Sequence, residues 1–445
     1  EVWLQPSGDV GFTGLILESP FVRGTLDKLG LQPRMDHRHQ YKNAMNMFTE
    51  RKYTPAHREA MEKVLTSWFG QLTRGIAEGR KLQPEGVRAL ADRGPFLGQE
   101  AVDARLVDHL GYRDQAYARA REKVGTDARL LFLSEYLKRA GRPHAKGTTV
   151  ALIHGVGGVQ RGKSRMDPVS GDSTMGSDTV TAAFRQAVAD EDVKAILFRV
   201  DSPGGSYVAS DAIWRETVRA REKGKPVVVS MGNLAGSGGY FVAMSADKIV
   251  AQPGTITGSI GVLGGKMLTT GLWDKVGVSW DEVHTSANAT IWTGTRDYSP
   301  AEWARFQAWL DRVYADFTAK VAQGRRLPRE KVLELAKGRI WSGEDAKALG
   351  LIDEVGGYPT ALRLVKQAAK VPEDQDVNLR VYPRPKSPVE RALEGGPKSS
   401  EPAAAEVMML RALEEVRPLA RYVDGLGLRE PPGVLTMPAP PDPPR

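Results

Sequence analysis

The feature that most constrains this chain is an internal repeat at a spacing of one whole domain. Residues 1–112 resemble residues 248–358. The clearest matches are 2–6 (VWLQP) with 249–253 (IVAQP), 53–56 (YTPA) with 298–301 (YSPA), and 98–101 (GQEA) with 343–346 (GEDA). A period of about 245 residues is too long for a solenoid and predicts a tandem domain duplication. Because residues 148–247 precede only the second copy, we expect the first repeat to be truncated at its N-terminus.

The complete copy alternates strand and helix patterns. Apolar, β-branched runs predict strands at 148–154, 193–200, 226–231 and 249–251. Helical spacing predicts helices at 177–190, 209–223, 237–246, 300–325 and 327–337. Continuous apolar strands between helices are typical of an α/β fold with a mostly parallel sheet.

The repeat also sets the expected domains. Residues 1–125 form the C-terminal part of the first repeat, 126–147 a linker and 148–372 the complete second repeat. Residues 373–445 form a C-terminal extension, with a helix at 403–423 and a proline-rich tail from residue 432.

The composition excludes several kinds of site. The chain has no cysteine, which rules out disulfides, a thiol nucleophile and thiolate metal sites. Its net charge is +8, but basic residues alternate with acidic ones, so we predict no nucleic-acid partner. No spacing of side chains is typical of a metal site. No apolar run approaches the ~18 residues that a membrane-spanning helix needs.

Two glycine-rich turns follow successive predicted strands, at 201–206 (DSPGGS) and 235–240 (AGSGGY). Glycine permits a tight turn and close approach of a substrate to the backbone. A helix N-terminus after such a turn directs free N–H groups at the reacting centre. The pattern favours Ser237 as a nucleophile, with the following N–H as an oxyanion donor and the Pro-Gly-Gly turn supplying a second. Each turn alone is also typical of an ordinary loop.

These turns, with 246–249 (ADKI) and 257–261 (TGSIG), resemble the signal peptide peptidase A (protease IV) family in order and spacing. The duplication is similar to the long form of that family. The resemblance implies tandem Clp/crotonase-like domains, each an α/β superhelix of βαβ turns. It also implies a serine endopeptidase with a Ser/Lys dyad and no cofactor.

In the long form of the family, the first repeat supplies the lysine and the second supplies the serine. The matching segment here, 41–44 (YKNA), makes Lys42 the expected general base. Lysine can act as a base only if burial or nearby positive charge lowers its pKa from about 10.4. The equivalent position in the second copy, within 287–289, has no basic residue, so the copies are complementary.

The resemblance implies roles for further residues. Ser259 resembles the family serine that hydrogen-bonds to the lysine amine. Gly205 and Gly238 are the expected oxyanion donors, with Gly204 as the alternative to Gly205.

The resemblance further implies peptide substrates, namely residual signal peptides and other short apolar peptides. It implies a homotetramer on the outer, extracytoplasmic side of the bacterial cell membrane. An N-terminal anchor, which we expect in a portion absent from this chain, would hold it there.

Two other functions remain open at this stage. A crotonase-like acyl-CoA enzyme would use paired N–H donors without a serine nucleophile, and a non-catalytic scaffold would use neither. Among the histidines, His154 lies in the predicted catalytic domain, but we interpret it as structural, and we assign no role to His37 or His39. Asp201 and Asp247 are interpreted as turn and helix-capping residues.

Overall fold

A computed structural model describes residues 1–166, 171 and 173–384, together with the strand Val434–Leu435. The predicted helix at 403–423 and the rest of the predicted tail lie outside the described residues. In chain order, the helices are α1 (Arg23–Leu29), α2 (Asn46–Thr49), α3 (Pro55–Arg80), α4 (Pro84–Ala91), α5 (Gly98–Asp103), α6 (Arg113–Val124), α7 (Leu133–Ala140), α8 (Ser177–Ala189), α9 (Tyr207–Glu222), α10 (Gly238–Phe241), α11 (Thr270–Lys275), α12 (Pro300–Arg325), α13 (Arg329–Leu335), α14 (Gly343–Ala348) and α15 (Tyr358–Ala368), with a 3₁₀ helix at Asn43–Met45.

The strands are β1 (Trp3–Leu4), β2 (Asp9–Val10), β3 (Gln32–His37), β4 (Phe96–Leu97), β5 (His109–Leu110), β6 (Thr148–Val156), β7 (Gly158–Gln160), β8 (Thr174–Gly176), β9 (Val193–Ser202), β10 (Gly205–Ser206), β11 (Val227–Gly236), β12 (Lys248–Ala251), β13 (Ile256–Gly258), β14 (Leu263–Leu268), β15 (Ile340–Ser342), β16 (Glu354–Val355), β17 (Val377–Tyr382) and β18 (Val434–Leu435).

The chain divides into two compact units. Unit 1 consists of Glu1–Glu18 and Glu62–Ala145, and unit 2 consists of Ser19–Met61 and the described residues from Lys146 onward. The first predicted repeat is therefore shared between the units, because residues 19–61 group with the second repeat. As a consequence, Lys42 and Ser237 belong to the same unit.

Unit 1 is small and mainly helical. Its short strands pair as β1 with β5, in parallel, and β2 with β4, antiparallel. The core contains Phe12 and Val87 in one cluster and Phe96 and Ala101 in a second. These apolar groups come from strands and helices alike, as expected when short elements bury their apolar sides together.

Unit 2 contains an eight-stranded sheet in the part of the chain that the structure describes. Its main path runs β15-β13-β11-β9-β6-β17, while β12 pairs with β11 and with β16. Every pair is parallel except β13 with β15. A smaller sheet has the order β18-β10-β7-β8, and β14 pairs with β3. The predicted α/β class with a parallel-rich sheet is confirmed.

Helices cover both faces of the large sheet. On one face, Phe198 of β9 packs in a cluster with Phe184 of α8 and Phe317 of α12. On the other, Leu197 packs with Val365 of α15. Successive residues of β9 thus point to opposite buried faces, which explains why the central strands are continuous apolar runs.

Several helix boundaries differ from those predicted. The helix expected at 237–246 is a single turn, α10, and Ser237 itself lies before it in a non-helical conformation. The helix expected at 327–337 is α13, which begins at Arg329 because Pro328 has ψ 140°, outside the helical range. Among the described residues, none of the helices combines the length and apolar character required to cross a bilayer.

Candidate active site

Ser237 lies at the junction between a central strand and a helix. It follows β11 directly and precedes α10, with φ 55° and ψ −117°. Non-glycine residues rarely adopt positive φ, and such strain persists only where the surroundings hold it. Here the Ser237 N–H donates to the Gly258 carbonyl at 2.8 Å, at the end of the neighbouring strand β13. The junction thus fixes the serine at the carboxyl edge of the parallel sheet, where ligands bind in such folds.

The structure brings Lys42, Ser237 and Ser259 together. The Lys42 Nζ lies 2.8 Å from Ser237 Oγ. It also lies within donating distance of the Ser259 carbonyl, at 2.9 Å, and of Ser259 Oγ, at 3.0 Å. A neutral amine has two N–H donors and one lone pair. In that neutral form, donation to the two Ser259 oxygens would leave the lone pair for the Ser237 hydroxyl, whereas the charged amine would donate to all three oxygens.

Both partners of this contact are buried. Lys42 is 1% exposed and Ser237 is 0% exposed. Burial lowers the pKa of the Lys42 amine to about 7, because removal from water disfavours the charged form. The amine can therefore be neutral near physiological pH, as a general base must be.

Gly205 and Gly238 also meet at this site. A Cβ on Gly238 would lie 3.0 Å from the Gly205 nitrogen and 2.6 Å from Ser210 Oγ. Gly205 has φ 151°, in the region that favours glycine, and a Cβ there would lie 2.2 Å from the Val159 carbonyl oxygen. The absence of side chains at both positions lets two backbone segments converge beside Ser237.

The geometry distinguishes Gly205 from Gly204. The Gly204 N–H already donates to Ser202 Oγ at 3.2 Å, and Ser202 Oγ donates to the Gly157 carbonyl at 2.6 Å. Ser202 was not singled out from the sequence, although a serine two residues before a Gly-Gly pair is a recognisable side-chain-to-backbone turn signal. Because the Gly204 N–H is held by a side chain of its own turn, whereas Gly205 lies on the strand edge that pairs with β18, Gly205 is the better candidate donor.

The other residues considered from the sequence have different surroundings. His154 lies in β6 opposite Arg199 of β9. The His39 carbonyl accepts from the Lys42 N–H at 3.4 Å, and its ring lies 4.6 Å from that of Tyr314.

The two aspartates are held by backbone groups. Asp201 accepts from the Asn233 and Leu234 N–H groups, each at 3.2 Å, and Asp247 accepts from the Val227 N–H at 2.8 Å. Within the described ranges, no group of three or more His, Asp or Glu side chains is arranged to hold a metal ion.

An extended segment lies along the strand that carries Gly205. The backbone of β18 pairs antiparallel with β10, with Leu435 opposite Gly205 and Val434 opposite Ser206. On its other edge β10 pairs in parallel with β7. The β10 edge is thus able to bind an extended backbone as an added strand.

The family model and the relatives that cover most of the chain indicate one family. The family model for peptidase family S49 matches residues 1–127 and 219–372. The chain is 33% identical over 386 residues to Protease 4 of Salmonella typhi, and the aligned region covers 83% of this chain and 61% of the relative. It is 29% identical over 403 residues to the chloroplastic serine protease SPPA of Arabidopsis thaliana, covering 89% of this chain and 59% of the relative. The chain therefore spans about three-fifths of the length of these relatives.

Proposed function

The chain belongs to peptidase family S49, and we propose that it is a serine endopeptidase in which Ser237 is the nucleophile and Lys42 the general base. The observation that carries the proposal is the 2.8 Å distance between Lys42 Nζ and Ser237 Oγ. A serine hydroxyl is a weak nucleophile until a neighbouring base takes its proton. A buried lysine with a lowered pKa is such a base.

The proposed reaction is acyl transfer in two halves. Ser237 Oγ attacks the carbonyl carbon of the scissile bond while its proton moves to Lys42 Nζ. The N–H groups of Gly205 and Gly238 donate to the oxygen, which gains negative charge. Lys42 then gives the proton to the leaving amine as the C–N bond breaks. A water molecule hydrolyses the acyl-enzyme by the same steps, and the Ser237 hydroxyl is restored.

The proposed substrates are residual signal peptides and other short apolar peptides. Two observations support this. A relative 34% identical over 182 residues is named a putative signal peptide peptidase SppA of Enterococcus faecium. In addition, the β10 edge already pairs with an extended apolar dipeptide sequence, Val434–Leu435, beside Gly205.

The fold detail and the cellular setting are part of the proposal. We propose tandem Clp/crotonase-like domains: the internal repeat indicates the duplication, and the family resemblance implies the domain type. The family resemblance supports a homotetramer on the outer side of the bacterial cell membrane. Such a location would bring the site to peptides left in the bilayer.

The test uses one chain and two assays. Purified protein is given a fluorogenic apolar peptide and, separately, a serine-directed fluorophosphonate reagent. We expect wild type to hydrolyse the peptide and to be labelled, and Ser237→Ala to lose both properties. The matched control is Ser230→Ala, which removes another buried hydroxyl from β11, one that accepts from Arg199 at 2.8 Å.

The outcomes separate the alternatives. Hydrolysis by Ser237→Ala at the wild-type rate would contradict the proposed nucleophile. Turnover of an acyl-CoA thioester without labelling of Ser237 would indicate the crotonase-like reaction instead. A wild-type chain that neither cleaves nor is labelled would be a scaffold.

A further inference from the structure

Residues 337–339, which we call the strap, lie between α13 and β15 and hydrogen-bond to the loop that carries Lys42. The Tyr41 N–H donates to the Lys337 carbonyl at 3.1 Å. This bond is made by the residue directly before Lys42, so it fixes the backbone from which the lysine side chain extends.

The strap also binds the loop that carries Ser259. The Gly338 N–H donates to the Ile260 carbonyl at 2.8 Å, and the Ser259 N–H donates to the Arg339 carbonyl at 2.7 Å. Ser259 has φ 51°, an uncommon conformation that these bonds help to hold. Three consecutive strap residues thus join the lysine loop to the serine that contacts its amine.

Gly338 is where the strap and the lysine come closest. It has φ +78°, and a Cβ placed there would lie 2.5 Å from the Lys42 nitrogen and 2.6 Å from its Cα and Cβ. Contacts under 3.0 Å to backbone atoms cannot be relieved without moving the backbone. Any side chain at position 338 must therefore displace Lys42 or the strap.

Arg339 holds the same loop from outside. Its guanidinium lies 4.6 Å from the centre of the Tyr41 ring and donates to Glu59 Oε1 at 2.7 Å. The Tyr41 hydroxyl donates to the other oxygen of Glu59, also at 2.7 Å. The carboxylate of Glu59, on helix α3, thus bridges Arg339 and Tyr41, the residue directly before Lys42.

We propose that Gly338 and Arg339 are positioning residues for the Lys42 amine, Gly338 by allowing the close approach of the two backbones and Arg339 by clamping Tyr41. This inference rests on the proposed function of Lys42. It assigns to the strap the task of keeping the amine within reach of Ser237 and away from water. Neither residue touches the reacting atoms.

The strap should therefore control the protonation state of the Lys42 amine as well as its position. Burial is the cause of the lowered pKa of Lys42, so a displaced lysine that meets water regains a higher pKa. The titratable groups on the lysine loop, the strap and the helices that contact them are His39, Tyr41, Glu59, Tyr314, Lys337 and Arg339.

The experiment compares two glycines that share the same positive φ. Gly350 also has φ +78°, but a Cβ there would meet only the flexible Leu327 side chain, at 3.4 Å. Gly338→Ala and Gly350→Ala both place a Cβ on a residue with φ +78°, and only the first meets Lys42. Peptide hydrolysis is measured from pH 6 to pH 10 for both variants, alongside wild type, Ser237→Ala and Lys42→Met.

For Gly338→Ala we expect kcat at pH 7 to fall at least tenfold with little change in KM. We expect the rising limb of its pH profile to move to higher pH, since each unit of pKa shift lowers the neutral fraction about tenfold. Its rate should then approach that of wild type near pH 10. Gly350→Ala should keep the wild-type profile. A Gly338→Ala profile that matches Gly350→Ala overturns the positioning role.

Failure of the strap and failure of the proposed function give different results. If Lys42→Met cleaves as well as wild type, the dyad is wrong whatever the strap does. If Lys42→Met is inactive and Gly338→Ala is unaffected, only the strap is wrong.

A second pair of variants decides if Gly338→Ala does not fold. Arg339→Ala removes the clamp on Tyr41, whereas Arg339→Lys keeps a cation beside Glu59. In Arg339→Ala we expect the rising limb of the pH profile to move to higher pH. In Arg339→Lys we expect it to lie between those of Arg339→Ala and wild type. Equal, unshifted profiles in both would contradict the inference.

Discussion

Lys42 Nζ and Ser237 Oγ lie 2.8 Å apart although 195 residues separate them in the chain. The contact is enclosed, since neither residue is more than 1% exposed. An enclosed amine must release its proton before it can act as a base, so burial sets the pH at which the site works. The predictions below follow from this contact and from the groups around it.

The first prediction concerns the pH dependence of peptide hydrolysis. We expect kcat/KM to rise with pH through about 7 and then to level off, because the Lys42 amine must be neutral and its pKa is lowered to about 7. The measurement is a profile of kcat/KM between pH 5 and pH 11. A rising limb near pH 10, as for an ordinary lysine, would contradict the burial of the base.

The second prediction concerns stability. Between pH 7 and 10.5 the unfolded chain binds a proton at Lys42 that the folded chain does not, so stability falls as the pH is lowered through this window. Lys42→Met should abolish peptide hydrolysis and raise the free energy of unfolding at pH 7 by about 2–4 kcal/mol, since each pKa unit corresponds to ~1.4 kcal/mol. Urea unfolding at pH 7 and pH 10 tests this, and the gain should shrink at pH 10.

The third prediction concerns Ser259. Ser259→Ala removes one acceptor of the Lys42 amine but keeps the carbonyl that accepts at 2.9 Å. We expect kcat to fall roughly tenfold with KM unchanged, as for the loss of one net hydrogen bond. Ser230→Ala again serves as the control, and a similar loss in that variant would mean that a general effect on the sheet is responsible.

The fourth prediction concerns the oxyanion donors. In Gly238→Ala the new methyl group would lie 3.0 Å from the Gly205 nitrogen and block its approach to the oxyanion. We expect kcat to fall by about 10²–10³, as when one oxyanion donor is lost. The double variant Gly238→Ala/Ser210→Ala removes the clash with Ser210 Oγ alone. Its activity should stay low, whereas recovery would assign the defect to crowding at Ser210.

The fifth prediction concerns a buried histidine. His57 is 4% exposed, its ring nitrogens have no hydrogen-bond partner among the described residues, and burial lowers its pKa to about 4. Between pH 6.5 and pH 4, His57 therefore binds more protons in the unfolded chain than in the folded chain. The free energy of unfolding decreases as the pH is lowered through that window. His57→Leu should flatten the decline in melting temperature between pH 7 and pH 4. An unchanged decline would place the acid sensitivity elsewhere.

Much of unit 2 was predictable because its strands are buried on both faces and leave long apolar runs in the sequence. Ser237 was identifiable because its flanking glycines mark a strand-to-helix turn. Lys42 has no such local signal, and only the repeat and the family motif pointed to it. Its contact with Ser237 confirms that the two lie together, while the role of each remains a proposal.

The strap was not predicted, for a physical reason. Gly338 is one of 47 glycines, and nothing beside it in the sequence distinguishes a glycine that must admit another backbone from one that ends a helix. Its importance lies in its contact with Lys42, far earlier in the chain. The grouping of residues 19–61 with the second repeat was not predicted either. Packing between segments that are distant in the chain produces no periodic pattern in the sequence.

The order of these segments along the chain bears on when the protein can act. Lys42 is synthesised before Ser237 and Ser259, and the strap at residues 337–339 follows all three. Chains fold progressively from the N-terminus as they are made. A nascent chain that has not yet reached residue 339 therefore carries a serine and a lysine with no segment to hold them together. Under the proposed function, proteolytic activity should appear only after residue 339 has been added, so that a shorter nascent copy cannot cut its neighbours.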